Sequence, residues 1–291
     1  MAIRPPQEWV RLYDAYTHEH LDRRKFIDRM VQVTGGSAAA TAAVAVLENN
    51  YAKAAIVSPD DPRLAIERVT FDGATGEVSG YLARPTDASE LLPGIVVIHE
   101  NRGLNPHIED VTRRAALAGF VALAPDFLSP LGGTPADEDE ARNLIRELDG
   151  ARTVADSAAA VRFLADHEAT TGRIGVTGFC WGGALTNRTA VAVPELGAAV
   201  AWYGGQPSAE DAAEIQAPLM LHYAELDERI NAGIPAYEAA LEAAGVPYTL
   251  HMYEGTNHAF HNDTNEARYD QEAAELAWSR TIDFFEQHLV E

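Results

Sequence analysis

Eight short apolar stretches constrain this chain more than any other feature, because of how they alternate with longer amphipathic ones. Residues 66–71 and 78–83 alternate apolar and polar side chains around Asp72-Gly73-Ala74-Thr75-Gly76, the pattern of a hairpin. Runs at 94–99, 120–124, 174–177, 198–203 and 219–223 follow, apolar at consecutive positions as strands buried on both faces are, with a last candidate at 248–253. Helix-compatible segments separate them at 108–118, 136–167, 184–193, 231–244 and 266–289. An antiparallel pair followed by strand–helix alternation predicts an α/β fold, a doubly wound and mostly parallel eight-stranded sheet flanked by helices. No repeat or linker interrupts the chain after residue 60, so residues 57–291 read as one domain and residues 1–56 as an N-terminal extension.

Composition removes several classes of partner. Lys and Arg number 22 against 44 Asp and Glu, a formal net charge of -22, so nucleic-acid backbones and anionic membranes are poor partners. A single cysteine excludes an internal disulfide framework and a multi-cysteine zinc site. No uncharged run reaches the roughly 20 strongly apolar residues of a membrane span.

The extension has two readings. Asp22-Arg23-Arg24-Lys25-Phe26-Ile27, an uncharged run from Val31 to Leu47 and then Ala52-Lys53-Ala54 resemble a twin-arginine export signal with its cleavage site. The section before Arg23, with Glu8, Asp14, Glu19 and Asp22, is long and acidic for such a signal. The other reading is a helical hairpin: Trp9, Leu12, Tyr13 and Tyr16 fall at helical spacing, and Gly35-Gly36 breaks the chain before an Ala-rich second helix. The location follows the same fork, cytoplasmic on one branch and exported on the other.

The strand at 173–177 runs into Gly178-Phe179-Cys180-Trp181-Gly182-Gly183 and then a helix, the arrangement of a nucleophile elbow with cysteine as the nucleophile. So tight a turn strains the central residue, and glycines two positions either side remove collisions with strand and helix. The helix N-terminus that follows favours a thiolate. In parallel α/β sheets partners are expected at the carboxyl ends of strands. Glu225 and Asp227 follow one such strand, and Gly255-Thr256-Asn257-His258 follows another. The order nucleophile, acid, histidine is that of α/β-hydrolases. The loop His99-Glu100-Asn101-Arg102-Gly103-Leu104-Asn105 leaves the first long buried strand, where such folds place one oxyanion-hole N–H, the second coming from the residue after the nucleophile, Trp181. Glu100 and Arg102 could equally form a local ion pair.

Together, Gly178-Phe-Cys180-Trp-Gly182-Gly183, Leu226-Asp227, Asn257-His258-Ala-Phe260 and the Glu100 loop resemble the dienelactone hydrolase family over residues 65–290. The resemblance implies an α/β-hydrolase fold and, as type activity, hydrolysis of the cyclic enol-lactone carboxymethylenebutenolide. It also implies that Cys180 is the nucleophile, His258 the base and Asp227, rather than Glu225, the group orienting His258. Glu100 matches the family glutamate that contacts the resting thiol, and the main-chain N–H groups of Asn101 and Trp181 would form the oxyanion hole. One position departs: where lactone-cleaving members carry a carboxylate-binding arginine four residues after the histidine, this chain has Asn262, which leaves Arg102 as the candidate substrate-binding cation.

The expected reaction is acyl transfer on a small ester or lactone through a thioester, without cofactor or metal. His18, His20, His107, His167, His222, His251 and His261 show no metal-ligand spacing. A broad carboxylesterase or thioesterase is the alternative enzyme, and a non-catalytic binding or thiol-sensing module the alternative outside catalysis.

Overall fold

The computed structural model describes residues 5–19, 21–51 and 55–290. In chain order the elements are α1 (Gln7–His18), α2 (Arg23–Thr34), α3 (Ser37–Leu47), β1 (Leu64–Asp72), β2 (Glu77–Pro85), β3 (Leu92–Ile98), α4 (Pro106–Leu117), β4 (Val121–Pro125), α5 (Glu138–Glu147) and α6 (Gly150–Ala165). There follow β5 (Thr170–Phe179), α7 (Trp181–Ala192), β6 (Ala198–Trp202), α8 (Ala209–Ala212), β7 (Leu219–Ala224), α9 (Glu228–Asn231), α10 (Ile234–Ala244), β8 (Tyr248–Tyr253) and α11 (Gln271–Leu289). All eight expected strands form, in the spatial order β1-β2-β4-β3-β5-β6-β7-β8. β2 pairs antiparallel with both β1 and β4, and every other neighbouring pair is parallel.

The consecutive apolar runs are explained by cover on both faces. Val96 and Ile98 point with Leu123 and Val176 into the layer of α6, α7 and α10, where Leu164, Leu185 and Leu241 are buried. Ile95 and Val97 point the other way, with Val200 and Trp202, towards α4 and α11 and their Val111, Phe284 and Phe285. Each such aliphatic side chain removed from water stabilises the fold by about 2 kcal/mol before entropy is counted. β3, β5, β6, β7 and β8 run parallel, so their carboxyl ends share one edge of the sheet, the edge where ligands of this architecture bind.

Two expected helices are each divided. The 136–167 segment breaks at Leu148, because Asp149 accepts from the Arg152 N–H at 2.9 Å and starts α6 as a new helix. The extension forms three helices rather than two, since Asp22 caps α2 in the same way through the Lys25 N–H at 2.9 Å. The expected break at Gly35-Gly36 is present: Gly35 takes φ 81° and the chain turns by 114° between α2 and α3. Tyr13, Phe26, Met30 and Leu47 build a core for these helices, and Ala267 from the loop before α11 packs into it. Arg23, one of the paired arginines, bonds Asp139 of α5 at 2.8 Å. No single described helix is long and apolar enough to cross a membrane. Ala52-Lys53-Ala54, and with it the expected cleavage site, lies outside the described residues, as does His20.

Candidate active site

Cys180 closes β5 and precedes the first residue of α7, at φ 58° and ψ −115°. A side chain in the left-handed region is strained unless its surroundings hold it there. Here the Cys180 N–H donates to the Trp202 carbonyl at 3.0 Å, and the Cys180 carbonyl accepts from Ala184 at 3.1 Å. A Cβ on Gly178 would collide with the Gly182 carbonyl, and one on Gly182 with the carbonyls of Ile98 and His99. Both glycines therefore let β3, β5 and α7 close around the turn. As the first helical residue, Trp181 has no intrahelical acceptor for its N–H.

Asp227 lies three residues past β7 and caps α9. Its Oδ1 accepts from the Ile230 N–H at 3.4 Å, and its Oδ2 lies 2.5 Å from His258 Nδ1. Glu225, the competing acid, is exposed and accepts from the Gly255 N–H at 2.7 Å, so it supports the histidine loop from outside. Burial alone would lower His258, but the Asp227 carboxylate and the negative charge the adjacent sulfur carries as a thiolate outweigh it and lift the imidazole to about 10, the value of the thiolate–imidazolium pair formed once the thiol proton has moved to His258. His258 Nε2 is buried without a hydrogen-bond partner among the described residues.

Beside these groups is a cavity of about 270 Å³, enough for a small molecule, bounded by Cys180, Trp181, Asn101, Tyr203 and His258. Two members of its wall come from the extension, Thr17 and His18. His18 Nε2 lies 3.3 Å from the Cys180 sulfur, and its ring meets that of His258 edge-on with centroids 4.4 Å apart. Among the described residues, His18, Cys180 and His258 are the one set whose three potential metal-donor atoms lie within 4.8 Å of one another. Sequence reading passed over His18 because nothing local distinguishes a histidine at a helix end. It also passed over Tyr203, whose buried hydroxyl has no hydrogen-bond partner among the described residues and whose φ of 38° marks a constrained backbone.

Two expected roles are corrected by the geometry. Arg102 does not face the cavity: it is buried, with Nε 2.7 Å from Glu138 and Nη2 donating to the Tyr13 hydroxyl at 3.0 Å. Its charge is taken up by the carboxylate of α5, and it makes no ion pair with Glu100. Glu100 makes no hydrogen bond to the sulfur; its Oε2 accepts from Asn262 Nδ2 at 2.7 Å and its Oε1 has no hydrogen-bond partner among the described residues. The cations at the cavity are instead Arg142, Arg146 and Arg229. Arg142 pairs with Asp139 and Arg146 bonds Asn143 and the Glu19 carbonyl, whereas Arg229 has no ion pair with a described residue.

The sequence model of the dienelactone hydrolase family matches residues 78–289. A Methylorubrum extorquens protein, provisionally named as a carboxymethylenebutenolidase, is 33% identical over 247 residues, covering 80% of this chain and 84% of its own. The Escherichia coli hydrolase fragment YghX is 49% identical over 106 residues, 36% of this chain and 91% of its own. A Klebsiella pneumoniae crystal structure, provisionally titled a dienelactone hydrolase, superposes with a TM-score of 0.70 at 29% identity, over 77% of this chain and 99% of that one. With the sheet order, the elbow and the matched span in agreement, the chain belongs to the dienelactone hydrolase family, hydrolases that act on ester bonds.

Proposed function

We propose that this chain cleaves small esters or lactones with Cys180 as nucleophile, through a thioester intermediate. The observation that carries the reading is a cysteine on a strained strand–helix turn, opening onto a cavity also lined by His258, whose Nδ1 lies 2.5 Å from Asp227 behind it. In this reading the thiol proton passes to His258 Nε2, whose imidazolium is stabilised by Asp227, and the sulfur attacks the acyl carbon. The main-chain N–H groups of Asn101 and Trp181 receive the oxyanion, and loss of one such donor generally costs on the order of 10² to 10³ in rate. His258 then protonates the leaving alkoxide and activates the water that cleaves the thioester. Glu100 ties the loop after β3 to Asn262.

Arg229 and Arg146 at the cavity favour a substrate that carries its own carboxylate, in an otherwise strongly acidic protein. A broad carboxylesterase would not need that charge. The test is a panel of lactones, thioesters and linear esters, each as a neutral and a carboxylate-bearing member, with freshly reduced protein and Cys180→Ala as control. Hydrolysis by the alanine variant at the wild-type rate would refute the nucleophile. Equal kcat/KM on neutral and anionic members would favour the broad esterase.

A further inference from the structure

The hydrogen bond of the Cys180 sulfur goes to a histidine outside the triad. His18 ends α1, 162 residues away in sequence, and its Nε2 is 3.3 Å from Sγ. The tautomer follows from the other side of the ring. His18 Nδ1 is 3.1 Å from the Asp14 carbonyl, which can only accept. It is also 2.8 Å from Thr17 Oγ1, whose proton is directed to the Tyr13 carbonyl at 3.0 Å. Nδ1 therefore carries the ring proton, Nε2 offers a lone pair, and the proton between Nε2 and sulfur is that of the thiol.

The two imidazoles at the sulfur differ in character. His258 carries a carboxylate on its far nitrogen and is a strong base. His18 has only neutral oxygens there. Burial, and then the positive charge of His258 once it holds the proton and of Arg229, Arg268 and Arg102 throughout, hold it well below the usual histidine range. Asp14, on its own helix, is bonded to Arg268 at 3.0 Å. A neutral imidazole so placed accepts an S–H hydrogen bond without removing the proton.

Its placement is built in from three directions. Asn101 Nδ2 donates to the Thr17 carbonyl at 3.0 Å, and Arg102 donates to Tyr13, both from the loop after β3. Gln7 bonds Asn257, beside His258, and Arg11 reaches Glu228, beside Asp227, at 3.5 Å. The loops that carry the oxyanion-hole residue, the acid and the base thus also position α1.

We propose that His18 is a catalytic residue of this hydrolase, supplied by the N-terminal helix, whose Nε2 accepts the S–H bond of Cys180 and keeps the nucleophile a thiol until substrate fills the cavity. The proposal rests on Cys180 being the nucleophile. One proton is involved: it leaves sulfur for His258 Nε2 when the acyl group arrives, and His18 stays neutral throughout. A chain cut after Ala54 would lose this control.

Cys180 is the single cysteine, so its alkylation by iodoacetamide can be followed from pH 5 to 9 on the full chain, alongside thiolate absorbance at 240 nm. Wild type is expected to show little thiolate at neutral pH. His18→Leu should alkylate about tenfold faster at pH 6, roughly the worth of one buried hydrogen bond, with thiolate absorbance appearing. His18→Gln, whose Oε1 can accept the same bond, should stay near wild type. A leucine profile superimposable on wild type, a glutamine profile matching leucine, or a wild-type cysteine already ionised at pH 6 would each overturn the proposal. The last measurement holds even if the leucine variant fails to fold. Hydrolysis surviving Cys180→Ala would instead remove the nucleophile reading itself, whatever the alkylation profile.

Discussion

Replacing Asp227 by asparagine isolates the charge that the triad reading assigns to it. Asparagine has the same shape and is an equally good helix cap, so α9 keeps its cap through the Ile230 N–H and the fold should survive. What disappears is a carboxylate 2.5 Å from His258 Nδ1, in a site where both side chains are almost fully buried. With charge centres about 4 Å apart and an effective dielectric near 20, that attraction is worth about 4 kcal/mol to the imidazolium formed during acyl transfer. Asparagine can also donate to Nδ1, which would place the ring proton on Nε2, where it blocks acceptance of the thiol proton. Loss of about 10² to 10⁴ in kcat/KM is expected. Alcohol release from a chromogenic ester should slow by that factor, with Glu225→Gln run in parallel. Activity of Asp227→Asn within tenfold of wild type, or an equal fall in Glu225→Gln, would refute the reasoning.

Other outcomes follow from the same geometry. Cys180→Ala should abolish ester hydrolysis while circular dichroism and thermal unfolding stay near wild type, because alanine fits the elbow; iodoacetamide should inactivate wild type at one equivalent. Arg229→Gln should raise KM about three- to tenfold for carboxylate-bearing esters and leave neutral esters unchanged, a modest effect because the side chain is exposed; equal changes on both would remove Arg229 from substrate binding. Asp263 is lowered from the usual 3.8 to about 2: burial opposes this, but His107 Nδ1 at 2.9 Å and Arg114 at 2.8 Å prevail. A depressed carboxyl adds stability that is complete above pH 3.8 and lost as pH falls through about 2, here on the order of 1–2 kcal/mol. Urea denaturation should show wild type ahead of Asp263→Asn at pH 6 and the gap closing towards pH 2; a constant gap would place the effect elsewhere.

Sequence by itself determined what is encoded locally. The eight strands were legible because burial on one or two faces writes a period of two, or a continuous apolar run, into six or so residues. The elbow was legible because Gly178 and Gly182 answer collisions within a single turn, and His258 because the strand before it announces the loop. Tertiary structure alone decided which groups meet. Arg102 sits two residues from Glu100, yet its charge goes to Glu138 on α5, since the buried guanidinium needs a carboxylate that the fold brings within 2.7 Å. Glu100 turns to Asn262, 162 positions away, and His18 reaches Cys180 across the same separation. Helical spacing in α1 predicted a helix without saying what it would cover. A hydrogen bond depends on distances of about 3 Å between side chains whose separation in sequence carries no signal, so the histidine that meets the Cys180 sulfur emerges only when the extension docks over the carboxyl edge of the sheet.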